Sequence, residues 1–311
     1  MVLIFRAEYI GKVRDLEIPL KNDKSDAAQP SSSEAKLTEQ GMGLVRVGTI
    51  TCKTIMGRSG IGSVDYAINP YLGCEHGCAY CYARFMLKMG HTGEDWGRFV
   101  DVKFNALDRL RLEAPRRSRG VVLLSSVTDP YQPLEKKYEL TRGALKILLE
   151  HQFPIDILTK SDLVLRDIDL LKRFDDCEVG LTITALDDKV RRAFEPRASP
   201  VQDRLQALRK LSDAGLQTYV FLGPLLPYLS DENLEKLFDE FSATASRILV
   251  DRLNIKCGNM PVIQRVLKAN FPGVQPLFES ALAPESLYYE KLKSKITEMC
   301  RVRGIPYNFC Y

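Results

Sequence analysis

The sequence predicts an α/β fold: a partial (β/α)6 barrel of the TIM type, with a parallel sheet, outer helices and a C-terminal helical extension. Three observations predict it. From residue 46 onward, short apolar runs of strand length alternate with longer stretches of helical periodicity. The alternation repeats roughly six times. The chain length of 311 residues suits one barrel with its surrounding helices.

The elements follow in order. Residues 1–20 carry alternating apolar positions (Val2, Ile4, Ile10, Val13) and read as a short N-terminal extension with a strand or two. Residues 21–45 are rich in Ser, Ala, Pro and charge, the composition of a flexible linker. Residues 46–275 are expected to form the barrel, and 276–311 the helical extension. An early strand at 99–104 leads into a helix at 106–112. Strands at 121–124, 155–158, 179–183, 218–222 and 247–250 follow, separated by helices at 140–150, 167–174, 201–214 and 233–244. A closing helix spans 285–303. In such folds chemistry sits at the C-terminal ends of the strands, so polar residues just after each apolar run are site candidates.

Composition narrows the function classes. The balance of 44 basic against 40 acidic residues permits a nucleic-acid partner without arguing for one. The basic run Arg116-Arg117-Ser118-Arg119 precedes a strand, so it falls on the face opposite the candidate site and reads as a solvated turn. The longest apolar stretch, 219–229, is interrupted by Gly and Pro and is too short to span a membrane. The N-terminus lacks the order of a signal peptide, so a cytoplasmic protein is expected.

Three of the eight cysteines lie in NPYLGCEHGCAYCYAR, as Cys74, Cys78 and Cys81. In a reducing compartment such crowding reads as metal binding before disulfide formation. Three thiolates can hold three irons of a cubane cluster and leave the fourth open to a small chelating molecule. Gly73 and Gly77 let the backbone wrap closely. A Cys3His zinc site using His76 is the alternative, although His76 lies inside the loop between two ligands. Cys52, Cys177, Cys257, Cys300 and Cys310 are dispersed and read as buried structural thiols.

The pattern C-x3-C-x-aromatic-C, with Tyr80 at the aromatic position, resembles the motif of the radical S-adenosylmethionine (SAM) superfamily. The wider run, with SSVTDPYQPLE, LTKSD, LTITALDD, FEPRASP and FLGPLLPYLSD in order, resembles its spore photoproduct lyase-like (DNA repair photolyase-like) branch over residues 50–230. The resemblance implies a [4Fe–4S] cluster on Cys74, Cys78 and Cys81 and SAM as the second cofactor. It implies reductive cleavage of SAM to a 5′-deoxyadenosyl radical that abstracts hydrogen from a substrate. It also implies an external one-electron donor such as a flavodoxin or ferredoxin. By analogy the substrate is a damaged or modified nucleic acid; radical modification of a peptide or metabolite, or a non-enzymatic metal-bearing nucleic-acid-binding module, are the alternatives.

Carried onto this sequence, the resemblance places Ser125, Ser126, Thr128 and Asp129 near the SAM ammonium, which needs acceptors. It places Lys160 at the SAM carboxylate and Thr182 as a further SAM contact. Without it, the Ser-Thr-Asp cluster reads as a turn before Pro130, Lys160 as a loop lysine and Thr182 as ordinary strand chemistry. Tyr80 either packs near the adenine or shields the cluster. Arg191, Arg192 and Arg197 follow the same strand and read as a solvated helix face or as phosphate contacts. Trp96 either shapes the entrance or packs. The resemblance departs at Ser126, where spore photoproduct lyases place a hydrogen-donating cysteine. A serine O–H bond is too strong for that role, so thymine-dimer repair by that route is not expected.

Overall fold

The computed structural model describes residues 44–255 and 257–311. The expected extension at 1–20 and almost all of the linker at 21–45 lie outside the described residues. In chain order the strands are β1 (Arg46–Ile50), β2 (Met56–Arg58), β3 (Tyr66–Ile68), β4 (Tyr71–Leu72), β5 (Phe99–Lys103), β6 (Val122–Leu124), β7 (Ile155–Thr159), β8 (Cys177–Thr182), β9 (Gln217–Leu225), β10 (Arg247–Arg252) and β11 (Tyr307–Phe309). The helices are α1 (Ala106–Glu113), α2 (Glu135–Tyr138), α3 (Leu140–Glu150), α4 (Ile168–Leu171), α5 (Asp188–Phe194), α6 (Val201–Asp213), α7 (Leu234–Phe241), α8 (Met260–Asn270), α9 (Gln275–Ala281) and α10 (Tyr288–Arg303).

The main sheet has the order β11-β10-β9-β8-β7-β6-β3-β2. Neighbours pair in parallel except β2, which runs antiparallel to β3. Its edges β2 and β11 do not pair with each other, so the barrel is partial. Strands of such a sheet are covered on both faces and read as continuous apolar runs; β8 is buried at every position. Gly180 belongs in β8 because the Tyr219 ring of β9 fills the barrel there. A Cβ on Gly180 would lie 2.2 Å from that ring. Tyr219 donates to Asp156 Oδ1 at 3.0 Å, and Arg247 forks onto Glu178 at 2.7 and 2.6 Å. These groups stand near the strand starts and satisfy one another there, which leaves the opposite end for chemistry.

The outer helices are held by their apolar stripes. In α3 the buried Ala144, Leu145 and Leu148 pack in the main core while Leu140 packs with Tyr71, Val100 and Val102 of the side sheet, and in α7 Leu234, Leu237, Phe238 and Phe241 join the main core. Each large side chain so buried contributes about 1.5–3 kcal/mol. No described helix is long and apolar enough to cross a membrane.

The structure departs from the sequence expectations in three places. The strand expected at 99–104 exists as β5, but it belongs to a separate sheet of order β1-β5-β4 rather than to the barrel. The helix expected at 167–174 shrinks to α4. Ser161 accepts from Leu163 N at 3.2 Å and starts a tight 3-10 segment, Asp162–Asp167, ahead of it. The C-terminal segment is not helical throughout: β11 pairs in parallel with β10 and extends the sheet.

Candidate active site

The barrel strand β3 ends at Ile68, and the connection from it to β6 carries the cysteine loop; β4 of the side sheet lies in that connection and ends at Leu72, two residues before Cys74. Gly73 takes φ +90°, and a Cβ on it would lie 2.6 Å from the Phe99 carbonyl of β5. Gly77 and Gly97 meet backbone to backbone: a Cβ on Gly97 would lie 2.5 Å from Gly77 Cα. Arg197 clamps this contact. Its Nη1 donates to Glu75 O at 3.2 Å and to Gly97 O at 2.9 Å. The phosphate reading of Arg197 is thereby corrected, because its guanidinium reaches back to the cysteine loop. Arg191 and Arg192 pair with Asp188 on their own helix, as a solvated face does. Trp96 is buried and packs edge-on against Phe99 at 6.0 Å.

Cys74 and Cys78 are buried and Cys81 is partly so. Burial pushes all three thiols up to about 12. A cation that takes them as thiolates relieves that cost. Among the described residues, no three His, Cys, Asp or Glu side chains converge as ligands of a single metal ion. A cubane cluster does not require that, because each thiolate meets a different iron. His76, the fourth zinc ligand in the alternative reading, is buried with its Nδ1 3.4 Å from Asp129 Oδ2. Buried polar atoms without a hydrogen-bond partner among the described residues surround the loop: Glu75 Oε2, His76 Nδ1, Arg84 Nε, Trp96 Nε1, Ser125 Oγ and Asn259 Oδ1. Buried unpaired groups are costly, and their concentration here marks a place built to meet something beyond the chain. The donor set and its surroundings fit a [4Fe–4S] cluster with a polar co-ligand.

The segment after β6 is tied to the cysteine loop. Thr128 Oγ1 donates to Gly73 O at 2.7 Å and accepts from Gln132 at 3.0 Å. Both oxygens of Asp129 are engaged: Oδ1 accepts from Tyr131 N at 2.9 Å and Thr159 Oγ1 at 2.6 Å, and Oδ2 from Lys160 N at 2.9 Å. Burial opposes its charge, but His76 and these donors hold the carboxyl well below its usual range. Ser126 Oγ accepts from Asn69 Nδ2 at 3.2 Å, and Asn69 Oδ1 accepts from Ser126 N at 3.0 Å. Its neighbour Ser125 is buried with φ +68°, a left-handed backbone that side chains rarely adopt, and an unpaired hydroxyl.

Lys160 follows β7, and its Nζ lies 5.8 Å from the Tyr80 ring centroid. None of the described residues accepts a hydrogen bond from that ammonium. Burial works against its charge, but Cys78, Glu195 and Asp129 outweigh it and hold the lysine above its usual value. Thr182 ends β8, buried, and its carbonyl accepts from Arg204 Nη1 at 2.9 Å.

Sequence reasoning missed a buried polar chain beneath the motif. Tyr80 donates to Glu195 Oε1, Thr184 Oγ1 donates to the same atom at 2.8 Å, and Glu195 Oε2 pairs with Arg204. Burial would raise Glu195, but Arg204 and Lys160 bring it down to about 2. Glu195 lies in FEPRASP, so the segment was visible while its partners were not. On the other side, Asn259 Nδ2 donates to Tyr80 O at 2.7 Å. Cys52 and Cys257, expected to be buried structural thiols, are instead partly exposed: Cys52 Sγ donates to Asn105 Oδ1 at 3.4 Å, and Cys257 Sγ lies 3.9 Å from Cys81 O. Tyr82, immediately after Cys81, donates to Ser126 O.

The cysteine loop, strand-end polar residues and partial barrel together define a radical SAM site, and the Radical SAM superfamily model matches residues 68–241. The chain belongs to the radical SAM superfamily and is an enzyme of that class. It is 36% identical over 261 residues to an uncharacterized protein of Methanocaldococcus jannaschii, spanning 84% of this chain and 97% of that one. It is 26% identical over 184 residues to a radical SAM Nalpha-GlyT isomerase of Pseudomonas phage M6, over 58% of this chain and 38% of that one. In fold it is similar to a spore photoproduct lyase mutant with bound AdoMet and dinucleoside spore photoproduct. That match has a TM-score of 0.61 at 15% identity and covers 85% of this chain and 82% of the other.

Proposed function

We propose that the protein reductively cleaves SAM at a [4Fe–4S] cluster held by Cys74, Cys78 and Cys81, and acts on a modified or damaged nucleic acid. The observation that carries the cofactor reading is the placement of three thiols, two buried and one partly so, in the connection between barrel strands β3 and β6, with the Lys160 ammonium, unclaimed by the described residues, facing the same motif. When bound, cluster and SAM supply a one-electron cleavage that yields a 5′-deoxyadenosyl radical for hydrogen abstraction. The chain's own residues do the rest. Lys160 offers a point charge to the SAM carboxylate. The hydroxyl of Ser125 offers a polar contact at the same strand ends, and Tyr80 walls the pocket, with Glu195 fixing its orientation. Thr128 and Asp129 hold the cysteine loop against β6 and β7. A one-electron carrier such as a flavodoxin or ferredoxin serves as reductant.

The nucleic-acid reading is supported by the dinucleoside ligand of the lyase neighbour. Ser126 separates the chemistry from thiol-terminated dimer repair, since a hydroxyl in place of a thiol has an O–H bond too strong to give up a hydrogen atom. The test is anaerobic. The protein is reconstituted with iron and sulfide, reduced with dithionite and supplied with SAM, with Cys78→Ala as control. Cluster-dependent 5′-deoxyadenosine from the wild type alone is expected. Its absence, with zinc rather than iron in anaerobically purified protein, refutes the reading.

A further inference from the structure

A run of aromatic rings crosses the molecule from the site face to the edge of the sheet. Tyr228 and Tyr288 have ring centroids 4.9 Å apart, Tyr288 and Tyr289 5.4 Å, and Tyr289 and Tyr311 6.2 Å. Tyr311 and Phe309 continue it at 5.6 Å, and Phe309 and Tyr307 at 5.8 Å. Residues 307, 309 and 311 share one face of the edge strand because side chains alternate along it. Cations lie over this run. The Arg252 guanidinium is 5.3 Å from the Tyr311 centroid, and Lys293 Nζ is 5.0 Å from Phe309 and 5.4 Å from Tyr311.

The run starts on the same face as the cysteine loop. Tyr228 lies in the loop after β9, and Tyr289 donates to the carbonyl of Leu225, the last residue of β9, at 2.9 Å. Tyr289 is buried and explained by packing. Tyr228 is not. It is 39% exposed and sits at φ +60°, a left-handed backbone that non-glycine residues rarely adopt. Tyr288 holds it there: its hydroxyl accepts from Tyr228 N at 2.8 Å and donates to Asp231 Oδ1 at 2.6 Å. Packed against Tyr288 yet still exposed to solvent, the Tyr228 ring is held in place while presenting aromatic surface outward.

We infer that Tyr228 is a stacking platform for an unpaired base of a single-stranded nucleic acid whose backbone runs toward Arg252 and Lys293. Nucleobases of any sequence stack on aromatic rings, and guanidinium and ammonium groups meet the phosphates. Arg252 is exposed and lies over the ring three steps along the run from Tyr228. This inference deepens the nucleic-acid reading above and rests on it.

The test is fluorescence anisotropy with a labelled single-stranded oligothymidylate and the matching duplex, at several salt concentrations, using the full chain. Wild type is expected to bind the single strand more tightly than the duplex. Tyr228→Ala should weaken the single-strand complex about 5- to 100-fold, the range for loss of one base–aromatic stack. Tyr228→Trp should retain affinity, and equal far-ultraviolet circular dichroism spectra exclude misfolding as the cause. Arg252→Gln should reduce the salt slope by about one phosphate contact. Wild-type binding that Tyr228→Ala leaves unchanged overturns the platform while sparing the nucleic-acid reading. A wild type that binds no oligonucleotide overturns both.

Discussion

Replacing Glu195 by Gln perturbs the buried chain under the cysteine motif at its centre. Arg204 is fully buried, and Glu195 is the carboxylate the structure gives it, alongside the carbonyls of Ser199 at 2.8 Å and Thr182 at 2.9 Å. Gln keeps the shape and loses the charge, which leaves a buried guanidinium uncompensated. Breaking such a pair from one side costs about 3–5 kcal/mol. The displacement of the carboxyl from 4.5 to about 2 gives a consistent figure of roughly 3 kcal/mol. The sign follows from the depressed folded value. The contribution is full above the unfolded value of 4.5 and is lost as pH falls toward about 2. Equilibrium urea unfolding followed by circular dichroism measures it. At pH 7 the variant should lose about 3 kcal/mol at unchanged m, and the gap to wild type should narrow as pH drops below about 4.5. A loss under about 1 kcal/mol at pH 7, or a gap that persists undiminished at pH 3, refutes the argument that Glu195 neutralises Arg204.

Three further outcomes are expected. Lys160→Ala should weaken SAM binding to the reconstituted protein about 10- to 100-fold by calorimetry, the worth of one charge-assisted contact, with iron content unchanged. Gly97→Ala should lower iron retention after reconstitution, because its Cβ would lie 2.5 Å from Gly77 Cα at φ +89° and so push the cysteine loop. Iron binding should release protons and tighten as pH rises from 6 to about 9, because the three thiols are pushed up to about 12 and must be deprotonated to ligate; potentiometric titration during loading reads the protons directly, and a pH-independent affinity contradicts it.

Much of the barrel was legible because its strands are buried on both faces and its helices carry one apolar stripe. α3 falls at 140–150 as expected, since Leu140, Leu145 and Leu148 mark the stripe in sequence. The side sheet was not legible: β5 reads like any apolar strand, and nothing local says that it pairs with β1 rather than β6. β11 was missed because a strand of Tyr307–Phe309 is too short to show a period. In the site, the cysteine spacing and the polar residues at strand ends are local signals. The Tyr80–Glu195 contact joins residues 115 apart, and the Cys257–Cys81 approach joins residues 176 apart. Such pairings exist only once the sheet has set which strand ends are neighbours.

That dependence also changes what the motif after β6 does. A carboxylate that binds the SAM ammonium needs a free oxygen facing it. Both oxygens of Asp129 already accept from Tyr131, Thr159 and Lys160, and His76 stands beside them. Thr128 Oγ1 already accepts from Gln132 while donating to Gly73 O, and Ser126 Oγ accepts from Asn69. The hydroxyl in this segment without a hydrogen-bond partner among the described residues is Ser125, and it is the residue held in the strained conformation. The motif is therefore better understood as two layers. Thr128 and Asp129 brace the cysteine loop against the ends of β6 and β7. Ser125 and Lys160 present the polar groups that the protein leaves unclaimed. Substitutions in the bracing layer should act on cluster retention before SAM affinity, and those in the presenting layer in the reverse order.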